Sequence, residues 1–284
     1  IGLQSKMMDD RLYWVAFMHN GSESNFAANQ IDHWPGFNIG AWYDFGGTWD
    51  ETKKKWKLFG DSMSDIDTSD NWVVRVGGAA DFIPMNHRAL YGDEEQSRFR
   101  TVDGGARLID VLNGAGNGLN AVDRFDAYIF NTFVAAKYSG FSISNEWWCR
   151  VLTDFDTVPG GNGVIEYKDF STGAGVTKTF DKDSLVDFGM QLQGGYFFVP
   201  NKWELVARWS SIWGESGNVN GGFDHNELSN EYTLGLNYFM HRHQLKWQND
   251  IGLYDGGNPA NASAAGFLTN RDGWLLRTQL QLAF

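Results

Sequence analysis

The chain predicts an all-β fold, a transmembrane antiparallel up-and-down β-barrel. Three observations predict it: segments of period-two alternation, connectors that are short and long in turn, and an aromatic-rich composition that is hydrophilic on average. The 284 residues include 13 Trp and 21 Phe, with 34 Gly and only 5 Pro. Such usage suits many strands whose two faces differ, because alternation hides an apolar face from hydropathy averages. No run of about 18 apolar residues exists, so a helical span is excluded.

Along the chain, alternating segments read at 11–19, 71–83, 93–103, 126–138 and 142–153, with a stub at 1–7. The pattern sharpens from 188 onward. At 188–198, Phe188, Met190, Leu192, Tyr196 and Phe198 oppose Gly189, Gln191, Gln193 and Gly195. At 203–213, Trp203, Leu205, Ala207, Trp209 and Trp213 oppose Glu204, Arg208 and Ser210. At 231–240, Tyr232, Leu234, Leu236, Tyr238 and Met240 oppose Glu231, Thr233, Gly235 and Asn237. At 244–254, Leu245, Trp247, Ile251 and Leu253 oppose Lys246, Gln248 and Asp250. The last segment, 274–284, sets Trp274, Leu276, Thr278, Leu280, Leu282 and Phe284 against Leu275, Arg277, Gln279, Gln281 and Ala283. About 9–11 residues is the length of a tilted membrane-spanning strand.

Ser139-Gly140-Phe141, Pro200-Asn201-Lys202 and His241-Arg242-His243 are short links, whereas 154–185, 214–229 and 255–273 are long and rich in Gly, Asp, Asn and Ser. Periplasmic turns and extracellular loops of a barrel produce that alternation. Unpaired backbone polar groups are not tolerated in lipid, so strands there must close on themselves, with water inside and hydrocarbon outside. Trp203, Trp213, Tyr196, Tyr232, Tyr238, Trp247, Trp274 and Phe284 are expected on the outward face as an interfacial girdle. The residues expected to line the lumen are Arg75, Arg100, Glu146, Arg150, Gln191, Gln193, Glu204, Arg208, Glu231, Lys246, Asp250, Arg277 and Gln279.

The segment 20–70 is a long extracellular or lumen-folded loop. Within it Phe37–Phe45 and Lys55–Phe59 read as a hairpin, either a constriction or an extra strand pair in the wall. If the last strand descends to the periplasm, eleven strands leave the chain beginning on the wrong side. Bacterial barrels have even strand numbers with both termini periplasmic, so N-terminal strands are expected to be missing. The start at Ile1 fits a removed signal peptide or a piece of a longer chain.

The net charge of −12 argues against nucleic acid as a partner. The single Cys149 excludes an internal disulfide and reads as a small apolar filler rather than a catalytic thiol. Asp65, Asp67 and Asp70, with Asp61, form an acidic loop and a calcium candidate, although EF-hand spacing is absent. The pair His241 and His243 reads as a turn, not a metal site, and Lys53-Lys54-Lys55 as a solvated run that also suits lipopolysaccharide phosphates. Asp154 and Asp156 fall at a loop edge, and no hydrolase motif accompanies them. No other cofactor or metal is expected, and the chain is not read as an enzyme.

The terminal Leu280-Gln281-Leu282-Ala283-Phe284 resembles the C-terminal signal by which outer-membrane barrels are recognised for insertion. Asp10–Val15, Arg98–Thr101, Gln191–Phe197, Trp203–Trp209 and Glu231–Tyr238 together resemble the phosphate-selective porin O and P family, most strongly from about 184 onward. The resemblance implies a barrel of about 16 strands in the full protein, of which about 10–12 fall in this chain. It further implies a homotrimer in the bacterial outer membrane, inward-folded loops, and passage of ions and small hydrophilic solutes, including anions such as phosphate. The anion-selective members' lumenal Arg ladder and Lys cluster are not matched here. Arg75, Arg100, Arg150, Arg208, Lys246 and Arg277 stand beside Glu146, Glu204, Glu231 and Asp250, which reads as a general or weakly selective channel. The rivals are a scaffolding barrel that anchors or sheathes surface proteins, and a soluble glycan-binding or glycan-cleaving β domain.

Overall fold

A computed structural model describes residues 1–19, 35–60, 62–85, 102, 122–157, 164–169, 176–216, 227–255 and 272–282. Those residues are all-β, and no helix in them is long and apolar enough to cross a membrane. Fifteen strands form: β1 (Gly2–Met7), β2 (Leu12–His19), β3 (Gly36–Gly46), β4 (Thr48–Asp50), β5 (Lys55–Lys57), β6 (Val73–Met85), β7 (Val122–Tyr138) and β8 (Phe141–Thr157). They continue with β9 (Ile165–Asp169), β10 (Val176–Phe180), β11 (Ser184–Val199), β12 (Trp203–Gly214), β13 (Glu227–His241), β14 (Leu245–Asp255) and β15 (Gly273–Leu282).

Eleven of these make one antiparallel sheet in sequence order, β1-β2-β3-β6-β7-β8-β11-β12-β13-β14-β15, while β4–β5 and β9–β10 are separate two-stranded hairpins. Each neighbour follows its predecessor in the chain, which is the simplest antiparallel topology. Among the described residues β1 and β15 have one partner each.

Every segment read from 126 onward as alternating becomes a strand. The turns joining them are local in origin: Ser139 (φ 50°) and Gly140 (φ 81°) make the two-residue loop between β7 and β8, the conformation that matches strand twist. Register then sorts the side chains. Directly paired residues share a face, so Tyr43, Val76, Val134, Asn145, Leu192, Trp209, Tyr232, Leu253 and Trp274 form one row. Arg75, Ala135, Ser144, Gln193, Arg208, Thr233, Gly252 and Leu275 form a row on the opposite face.

Two expectations are corrected. Phe37–Phe45 does not pair with Lys55–Phe59: β3 is a full member of the main sheet, hydrogen-bonded to β2 and β6, whereas β5 pairs with β4. The segment 20–70 is therefore not one loop or hairpin. The expected strand at 93–103 lies, except for Val102, outside the described residues, and β6 pairs directly with β7 where that strand would have stood. The sheet still has eleven strands because β3 takes up the count.

Connectors at one end of the sheet are Met8–Arg11, Ser139–Gly140, Pro200–Lys202 and Arg242–Gln244, all short. Those at the other end, 20–35, 86–121, 158–183, 215–226 and 256–272, are long. One connector breaks the rule. Residues 47–72, between β3 and β6, lie at the short-turn end yet span 26 residues.

Candidate functional site

The two faces differ in kind. Away from the strand ends beside the long connectors, the described positions on the first face carry no Asp, Glu, Lys or Arg. Large apolar side chains there stand in the open, with Leu234 51% and Leu276 66% exposed. No second sheet covers them among the described residues. A fully buried Leu gains about 1.5–3 kcal/mol over an exposed one, a gain that these positions forgo within the described chain.

Several polar groups on this face bond one another. Trp147 Nε1 donates to Asn145 Oδ1 (2.5 Å), Trp247 Nε1 to Thr278 Oγ1 (2.9 Å), and Thr278 Oγ1 to Asn249 Oδ1 (2.8 Å).

Tyr196, Trp203, Tyr238 and Trp247 sit on this face near the short turns, with the Trp203 and Tyr238 rings 4.5 Å apart. Trp213, stacked on Phe188 at 5.9 Å, and Trp274 sit toward the long connectors. Tyr232 falls nearer mid-strand, opposite Trp209. Trp203 and Trp213 are ten residues apart, which is about 34 Å along a strand. Phe284 lies outside the described residues. Cys149 stands on this same face, between Phe130 and Phe188.

The opposite face gathers the residues read as polar in the sequence. Arg75, Glu146, Arg150, Gln191, Gln193, Glu204, Arg208, Glu231, Lys246, Asp250, Arg277 and Gln279 all lie on it. Arg100 lies outside the described residues. Most of these charges are paired, however. Arg75 holds Asp44 through two bonds (2.7 and 2.9 Å), and Arg150 holds Asp187 (2.9 and 2.5 Å). Arg208 bonds Glu231 (2.6 Å) and Arg277 bonds Asp250 (2.8 Å). Glu146 accepts from Asn131 (2.6 Å) and Glu204 from Asn237 (2.9 Å). Asp44, Asp187 and Asn131 were not singled out in the sequence, because a partner across a ladder emerges only once register is known.

Two chain segments lie over this polar face. At the long-connector end, Ile165 of β9 and Phe180 of β10 join Ile83, Val122, Phe125, Leu152 and Leu185 in a buried cluster. At the short-turn end, residues 58–60 and 62–70 do the same. Phe59 packs with Val73 and Ala135, and Ile66 with Phe197 and Phe239. Glu204 is thereby 1% exposed, beside a cavity of about 300 Å³ lined by Ser62, Met63 and Ser64 together with wall residues from Ser142 to Arg277. A Cβ at Gly195 would meet Glu204 Oε1 at 2.8 Å, so a side chain there would have to displace the Glu204 carboxylate. In the β13–β14 turn, burial holds the His243 imidazole below its ordinary pKa, and the cations Lys246, Lys137 and Arg242 push the same way.

Compared with protein-family models, curated proteins and solved structures, the chain matches none. Its reading rests on its own geometry.

Of the acidic loop, Asp61 lies outside the described residues, and two of the others make contacts within the protein. Asp65 accepts from the Ser69 N–H and hydroxyl and from Gly140 N–H (2.7 Å). Asp67 pairs with Arg242 at 2.9 Å. Among the described residues no three His, Cys, Asp or Glu side chains converge as a metal would require, Asp70 included. Lys53, Lys54 and Lys55 are exposed in and beside the β4–β5 turn, where Asp50 accepts from the Thr52 and Lys53 N–H groups. The Lys53 backbone bond, foremost, keeps the Asp50 carboxyl below the usual range.

Proposed function

We propose that this chain forms the wall of a bacterial outer-membrane channel for passive diffusion of ions and small hydrophilic solutes. The carrying observation is the single two-faced sheet: one face without Asp, Glu, Lys or Arg away from the strand ends beside the long connectors, the other lined with cross-strand ion pairs. Lipid solvates the first and water the second. A closed cylinder in a homotrimer contacting lipopolysaccharide is the assembly in view.

Kinship with the phosphate-selective porin O and P family remains part of this proposal, resting on the motifs quoted above. Phosphate preference itself gains nothing from the polar face. An arginine bonded to a carboxylate presents little net field to a passing anion, so selectivity is weak. The alternative, a scaffolding barrel that anchors or sheathes surface proteins, draws support from the two segments lying over the polar face.

Single-channel recording of the full-length protein in planar bilayers separates the two. The channel reading expects discrete conductance steps with a reversal potential near zero in a potassium chloride gradient. Folded, inserted protein that never conducts would favour the scaffold.

A further inference from the structure

Residues 47–72 are the one long connector at the short-turn end, and their course is specific. The β4–β5 hairpin leaves β3, and the chain then crosses the polar face toward the β13–β14 turn. Asp44 accepts from the Phe59 N–H (3.3 Å), tying the start of the crossing to the Arg75 ion pair. Lys137 Nζ donates to the carbonyls of Phe59 (2.8 Å) and Ser62. Its ammonium also lies over the Phe59 ring, 4.1 Å from the centroid. Asp65 caps the Gly140 N–H in the β7–β8 turn, and Ser139 N–H donates to Ser69 O (2.9 Å). The crossing ends at Arg242, whose Nη1 meets Asp67.

Lys137 and Asp65 are the telling residues. Both are buried, 5% and 3% exposed, and each spends its charge on groups across the junction between segment and wall. A lysine on a water-facing strand needs no such cover. Its burial follows from the segment being seated, and the segment's seating depends on it in turn.

We propose that residues 47–72 are a docked plug that narrows the channel from its short-turn mouth, latched by Lys137 and Asp65. The inference rests on the channel reading above. The pore's narrowest cross-section then lies between this segment and β12–β14, where the paired wall charges meet Ser62, Met63 and Ser64.

Three full-length proteins test it in planar bilayers: the unaltered chain, a latch variant carrying Lys137→Met and Asp65→Asn, and a chain with residues 62–70 replaced by a short Gly-Ser link. The latch variant is expected to flicker to a higher conductance, and the shortened chain to hold that level steadily. Equal conductance in all three would overturn the plug and leave the channel standing. Absence of conductance in all three would overturn the channel reading and the plug with it.

A second readout stands apart from insertion efficiency. In a Cys149→Ser background, Ile66→Cys should react slowly with a water-soluble maleimide. Adding the latch substitutions should speed labelling by about tenfold or more, the consequence of losing charge-assisted bonds. Fast labelling with the latch intact would show that the segment is not docked and overturn the proposal.

Discussion

Leu234→Arg is expected to cost about 2–4 kcal/mol of stability in lipid, the penalty for a cation on the lipid side near mid-bilayer. Leu234 sits between Ala207 and Ile251 on the apolar face and is 51% exposed. Nothing there offers a carboxylate. Thr233→Arg, one residue away, points to the other face, beside Glu231, and should cost less than about 1 kcal/mol, as surface changes usually do. Urea unfolding in lipid vesicles, followed by tryptophan fluorescence, compares the two directly. A larger loss at 233 than at 234 would mean that the faces have been assigned the wrong way round.

The second large effect concerns the ion pairs. Asp187 is 3% exposed, holds Arg150 through two bonds and also accepts from the Ser216 N–H at 2.9 Å. Breaking a buried ion pair at one side is strongly destabilising, so Asp187→Asn should cost the protein about 3 kcal/mol. Asp250→Asn is the contrasting case. Its partner Arg277 is 46% exposed, water screens the loss, and the stability change should stay below about 1 kcal/mol. Asp250→Asn removes a negative charge from beside Arg277 on the polar face, so it should move the reversal potential toward chloride selectivity. An unchanged reversal potential in Asp250→Asn would show that this face does not line the conducting path.

The strands from β11 onward were legible in the sequence because each carries a clean period of two, and period fixes face once a strand is granted. Leu205, Trp209, Leu234 and Ile251 fall on one side for that reason alone. β3 was misread for a physical reason as well. Phe37–Phe45 and Lys55–Phe59 are adjacent alternating stretches, and nearness in sequence favours a hairpin. Yet β3 finds longer partners in β2 and β6, a choice that depends on non-local pairing. The ion pairs show the same limit. Arg75 and Arg150 were visible as polar positions, but Asp44 and Asp187 become their partners only through a register that no local window contains. Lys137, in an Ala-Ala-Lys-Tyr stretch, carried no sign that a segment more than sixty residues earlier would cover it.

What solvates each side of β13 can be read residue by residue. Spin labels placed singly at 231 to 238, in a Cys149→Ser protein reconstituted in vesicles, report collisions with oxygen, which concentrates in lipid, and with a nickel chelate, which stays in water. Oxygen contact should peak at 232, 234, 236 and 238, and nickel contact at 231, 233, 235 and 237. Nickel reaching both series alike would mean that water bathes both sides, and the proposed membrane wall would be wrong.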